Sequence, residues 1–113
     1  MRKIAAIIVL TSSAGMLIAA TNGASLNGVE QTTTLNCNGG PATVSGVDNT
    51  VTINGNCSSL RVGGTDNIVR INISSQANIV ISGVDNRIYW TGAKGTKPRV
   101  KISGVDNSVV RAK

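Results

Sequence analysis

The sequence predicts an all-β fold, a short single-domain β-solenoid of about five coils of 18 to 21 residues. Three observations predict it. The phrase Ser-Gly-Val-Asp-Asn occurs at 45–49, 82–86 and 103–107, with a near copy, Gly63-Gly64-Thr65-Asp66-Asn67, and a weaker one, Asn27-Gly28-Val29-Glu30-Gln31. Aligned on their glycines, Gly28, Gly46, Gly64, Gly83 and Gly104, the copies are separated by 18, 18, 19 and 21 residues. Apolar residues keep register with those glycines, and the parity of their alternation switches inside the phrase. A one-residue slip turns every side chain to the opposite face, so the chain must bend at Ser45-Gly46 if both flanking strands are to serve one interior. Glycine permits such a corner without steric cost.

The chain opens with Arg2 and Lys3, an apolar stretch from Ile4 to Ala20 broken by Thr11, Ser12 and Ser13, and then small residues. That order is expected of a secretory signal peptide over residues 1–24, with Ala20 or Ala24 the last residue removed. The other reading, an uncleaved anchor, is disfavoured because the stretch is short for a span and carries hydroxyls near its centre. Export places Cys37 and Cys57 in an oxidising compartment, where a disulfide is expected over two free thiols. Such a bond would contribute about 3 kcal/mol, a large share of a small domain's stability.

Residues 25–113 then read coil by coil. The first copy, around Gly28, opens the stack. The second carries Ala42 and Val44 before its glycine, and Val47, Asn49, Val51 and Ile53 on the opposite parity, all expected to face inward. The third carries Leu60, Val62, Val69 and Ile71, the fourth Ile79, Ile81, Ile88 and Trp90. The last carries Val100, Ile102 and Val109, then Arg111. Period-two alternation rich in β-branched residues argues for strands. With one Trp, one Tyr and no Phe, the core must come from Val, Ile and Leu. An antiparallel sandwich would not require the same residues at the same place in each turn. A hexapeptide helix would need apolar positions spaced by six. Cys37 and Cys57, about one coil apart, would staple the first coil to the second.

Asn49, Asn67, Asn86 and Asn107 would stack inward as an amide ladder, a structural role. Every carboxylate side chain, on Glu30, Asp48, Asp66, Asp85 and Asp106, occupies one repeat position and would form a vertical stripe. Two readings follow. The stripe could hold a divalent cation, with calcium the one candidate and no other cofactor expected. Alternatively each Asp accepts backbone N–H bonds at its own corner. One carboxylate per coil is sparse for calcium, which favours the corner role.

Tyr89 and Trp90 lead into an insertion, TGAKGTKPRVK, holding Lys94, Lys97, Arg99 and Lys101. Arg99 and Lys101 should point outward, and Tyr89, Lys94, Lys97, Arg99 and Lys101 form the candidate contact surface for a partner or polyanion. Their competing role is to protect an exposed strand edge, a purpose Arg111 also fits. The chain's +6 charge falls to about +4 once Arg2 and Lys3 are removed, which suits an anionic partner. Thr32, Thr34, Thr50 and Thr52 resemble ice-binding faces, but the columns continue into Ile68, Arg70, Arg87 and Tyr89 and break the array. The chain has no histidine, no phosphate loop and no Cys/His metal spacing, so no enzyme is expected. A weak enzyme acting on an anionic glycan would have to use the stripe.

The run Ala42-Thr43-Val44-Ser45-Gly46-Val47-Asp48-Asn49-Thr50-Val51, the closing Asn107-Ser108-Val109-Val110-Arg111, the leader and the Cys pair together resemble the exported bacterial family of domain of unknown function 3060. The resemblance spans Leu35 to Lys113. It implies an exported β-helix-like domain, in the periplasm or outside the cell, and assigns no activity. Thr65 in place of Val and the Lys-rich insertion are local departures. The expectation is a non-catalytic structural or binding module of the bacterial envelope. Its partner would be an envelope protein or an anionic glycan; no nucleic acid is expected, and no membrane span after cleavage. The alternative is a cation-dependent or polyanion-binding adhesive protein that uses the Asp stripe or the basic insertion.

Overall fold

The protein, seen in a computed structural model that describes residues 23–112, is a β-solenoid of about five coils. The expected leader lies outside the described residues apart from Gly23 and Ala24. Eight strands follow one another: β1 (Ala24–Val29), β2 (Thr32–Asn36), β3 (Pro41–Val47), β4 (Thr50–Val62), β5 (Ile68–Ile81), β6 (Arg87–Thr91), β7 (Arg99–Ile102) and β8 (Ser108–Arg111). Every pairing between them is parallel, which excludes the antiparallel sandwich.

Two faces result. The A face runs β1, β3, the second half of β4, the second half of β5, and β7. The B face runs β2, the first half of β4, the first half of β5, β6 and β8. Long strands β4 and β5 pass from the B face around a corner onto the A face, so each serves two coils. The repeat alignment and the register coincide: Gly28 lies beside Gly46, Val44 beside Val62, Ile53 beside Ile71 and Ile71 beside Trp90.

The interior is aliphatic. Val44, Val51, Ile53, Leu60, Val62, Val69, Ile79, Ile81 and Ile88 are buried, and Trp90 closes the B-face column. Each such side chain contributes roughly 1.5–3 kcal/mol by leaving water. The disulfide Cys37–Cys57 forms, with Cα atoms 5.6 Å apart, and fastens the first coil to the second at the corner that leads from the B face to the A face.

The corner of the repeated phrase departs from expectation in one respect. Val47 was expected to face inward, but it is 39% exposed, and Val84 and Val105 are exposed with it. The reason is a second left-handed residue. Gly46 has φ of 119°, and Asp48, two residues on, has φ of 59°. The chain therefore turns twice, carrying Val47 outside the arc and returning Asn49 to the interior. Asp66, Asp85 and Asp106 repeat this with φ of 57°, and Glu30 with 55°. A second departure concerns the last coil. Val100 and Ile102 stand in the inward columns beside Ile79 and Ile81, yet they are 44% and 46% exposed because no described coil follows to cover them.

The glycines are required for close approach as well as for conformation. A Cβ on Gly64 would collide with the carbonyl oxygen of Gly46 in the coil before, and Gly83 and Gly104 meet their predecessors in the same way. Gly64→Ala should therefore cost about 3 kcal/mol or more, since strain at positive φ adds to a backbone clash that no side chain can relieve. Gly95, with φ of 87° and no atom within 4 Å of an added Cβ, isolates the conformational part. Gly95→Ala should cost about 1 kcal/mol. Urea unfolding of the two variants measures the difference.

Candidate functional site

The inward ladder forms as its spacing requires. Asn49 donates from Nδ2 to Asn67 Oδ1, Asn67 to Asn86 Oδ1, and Asn86 to Asn107 Oδ1, each at 3.0 Å. The same Oδ1 atoms also accept the backbone N–H of the preceding Asn, at 3.2, 3.1 and 2.9 Å. Each Nδ2 reaches back to a glycine carbonyl of the preceding coil as well: Gly28 for Asn49, Gly46 for Asn67, Gly64 for Asn86 and Gly83 for Asn107. Asn49, Asn67 and Asn86 are fully buried and every polar atom of their amides is occupied. Gln31 ends the ladder at the first coil, giving its backbone N–H to Asn49 Oδ1 while its own amide folds onto Val29 O.

Glu30, Asp48, Asp66, Asp85 and Asp106 lie exposed on the outer side of this corner, one per coil. They do not cap it through their carboxylates, as the sequence had led us to expect. The N–H groups two residues on, which such capping would use, are already spent on the coil before: Thr50 N donates to Gln31 O, Ile68 N to Asn49 O, Arg87 N to Asn67 O and Ser108 N to Asn86 O. What the position demands is a residue that tolerates the left-handed region, which Asp and Asn do. Among the described residues, no three His, Cys, Asp or Glu side chains gather into a group that could hold a metal ion.

The basic residues occupy other surfaces, and the structure divides the expected contact set. Tyr89 is on the B face, where the Arg70 guanidinium sits 5.3 Å from its ring centroid. Lys94 stands at the tip of the loop between β6 and β7, whose turn is closed by Thr96 N–H donating to Ala93 O and anchored by the buried Thr96 side chain. Lys97, Arg99 and Lys101 follow along the loop and β7 onto the A face, all exposed. Arg61, absent from the expected set, shares their surface: Arg61 lies beside Val80, and Val80 beside Lys101. The repeat alignment carries the signal, since Arg61, Val80 and Lys101 each stand three residues before their glycine. Arg111 lies over the Trp90 ring at 5.1 Å and donates to Gly92 O, covering the open end of the core.

Asn67→Ala should cost about 3 kcal/mol or more, because it strands the Nδ2 and N–H of Asn49 and the carbonyl of Gly46 in a dry interior. Asn107→Ala, at the half-exposed end of the ladder, should cost about 1 kcal/mol, and chemical denaturation separates the two. Asp66→Asn should leave stability unchanged, while Asp66→Ala should lower it by about 1 kcal/mol or more; a thermal melt of the pair checks that the backbone conformation, not the charge, is what this position needs.

The comparisons with known proteins bear on this architecture only. No curated protein and no solved structure matches the chain. The sequence pattern of the family described as "Protein of unknown function (DUF3060)" matches residues 44–104, more than half of the 113 residues. The match is narrower than the resemblance over Leu35 to Lys113: it takes in the aligned glycines Gly46, Gly64, Gly83 and Gly104 and the ladder from Asn49 to Asn86, and it leaves out Cys37, Asn107 and Arg111. On that match the chain belongs to the DUF3060 family.

Proposed function

We propose that the protein acts outside the cytoplasm as a non-catalytic scaffold of the bacterial envelope that holds a basic surface toward an anionic partner. The observation that carries this reading is the segregation of charge. The five carboxylates all lie along one corner of the solenoid, whereas Lys94 and Lys97 sit in the loop at the other corner, Arg61, Arg99 and Lys101 on the adjoining A face and Arg70, Arg87 and Arg111 on the B face. A surface of one sign draws in and orients a partner of the other. The stack beneath it supports the reading too, since coils locked by hydrogen bonds on both sides fix the outward side chains at set intervals.

A second reading, adhesion through a cation held by the acidic column, draws on the same segregation, because the carboxylates stand one rung apart and are exposed. Two measurements separate the readings. Capture of partners from an envelope extract should fall about tenfold or more when Lys94, Lys97, Arg99 and Lys101 are changed together to Ser; equal capture would remove the basic surface as a site. The thermal midpoint should be the same with calcium and with chelator, whereas a rise with calcium would favour the acidic column.

A further inference from the structure

We infer that a linear polyanionic glycan binds along the solenoid axis in a trough on the A face, between Arg61 at one end and Arg99 with Lys101 at the other. This inference rests on the reading of a basic, partner-binding surface and names the site and the ligand class.

The trough follows from the parallel register. Outward residues of one strand lie about 6.6 Å apart, so two outward columns enclose a furrow whose floor is backbone. On the A face one wall is Ser59, Asn78 and Arg99, and the other is Arg61, Val80 and Lys101. Between them lies a groove of 450 Å³. Arg61 and Lys101 are two rungs apart, about 10 Å, and Arg99 faces Lys101 across the furrow. A second concavity of 380 Å³ adjoins at Asn78 and Arg99, adding Gln76 and Lys97. Cations thus stand at two levels of the axis, Arg61 at one and Arg99 with Lys101 at the other, separated by two coil spacings. A ligand with oxyanions at regular intervals on an extended chain matches that pattern, and guanidinium groups pair with such oxyanions in a bidentate way.

The composition of the walls narrows the class further. Ser59, Asn78 and Gln76 offer hydroxyl and amide groups that can both donate to and accept from a hydroxyl-rich backbone. No aromatic ring lines either concavity, so the stacking platform by which single-stranded nucleic acids are held is missing from this surface. The corresponding furrow on the B face, lined by Thr52, Asn54, Arg70, Asn72, Tyr89 and Thr91 among others, has one arginine, and that guanidinium already rests on Tyr89. The two furrows therefore differ: three cations line the one on the A face, whereas Arg70 alone lines the one on the B face, with Arg87 and Arg111 standing outside it.

The test is binding of polygalacturonate and of dextran sulfate to the full chain by titration calorimetry at low salt, with neutral dextran and single-stranded DNA as comparisons. Binding of at least one charged glycan is expected, weakening as salt rises, and the preference between the two identifies carboxylate or sulfate as the favoured oxyanion. Arg61→Gln, outside the insertion, should weaken it about tenfold, while Arg87→Gln, which removes the same charge from the B face, should leave it within about twofold. Val80→Glu, which places a carboxylate between Arg61 and Lys101, should abolish it. Thermal melts establish that these changes leave the fold intact. Equal losses for Arg61→Gln and Arg87→Gln would overturn the trough while leaving a diffuse basic surface standing. Tighter binding of DNA or equal binding of neutral dextran would overturn the ligand class, and no binding of any polyanion would overturn both this inference and the reading beneath it.

Discussion

The structure depends on the contact between one glycine corner and the next. The backbone of each coil approaches the carbonyl of the coil before so closely that no Cβ fits, and a buried asparagine completes the junction by bonding both ways along the stack. Steric exclusion sets the distance and the amide sets the register. A buried amide left unpaired is costly, so a coil shifted by one residue would lose the ladder and expose its apolar column together. The strands on either side inherit their alignment from this point. That is why the spacing between copies can vary from 18 to 21 residues without disturbing the fold: the extra residues are taken up at the opposite corner, where strand pairing is irregular and the loop with Lys94 protrudes.

The core gains from the same arrangement. Parallel strands stacked into coils bury their inward faces completely in the middle of the protein and incompletely at its ends, where Leu26 and Leu35 at one end and Val109 at the other are only half covered. The disulfide ties the corner at the less covered first coil, and the Arg111 guanidinium lies on Trp90 at the last. Each device protects an end where packing alone is thin.

Much of this was legible in the residues because a solenoid repeats its instructions. The glycine column, the asparagine column and the aliphatic columns each follow from alignment alone, and the cysteine spacing matches one coil. The misreading of Val47 has a definite origin. Counting parity detects that the chain flips, but not how many times, and two left-handed residues at Gly46 and Asp48 produce an excursion that a single bend does not. Asp at a corner signals either a side-chain hydrogen bond or tolerance of the left-handed region, and residue type alone does not separate the two. Val100 and Ile102 stand in the columns expected of them and are half exposed for another reason: a column position states which way a residue points, whereas burial requires a neighbour above it. Arg61 is legible only down the columns, since a solenoid assembles its surfaces from residues 18 to 21 apart and not from contiguous runs of charge.

The amide ladder also has a direction. Every rung donates from the earlier coil to the later one, so an asparagine, already bonded back to a glycine carbonyl of the coil before, completes its bonding only when the next coil has been laid upon it. A chain that emerges N-terminus first would thus fold by accretion, each coil serving as template for its successor and being completed by it. At the growing tip the waiting amide faces water, which satisfies it in the meantime. Nothing in the junction counts coils, so descendants of such a chain can lengthen or shorten by whole repeats, carrying or discarding columns of outward residues while the interior stays the same.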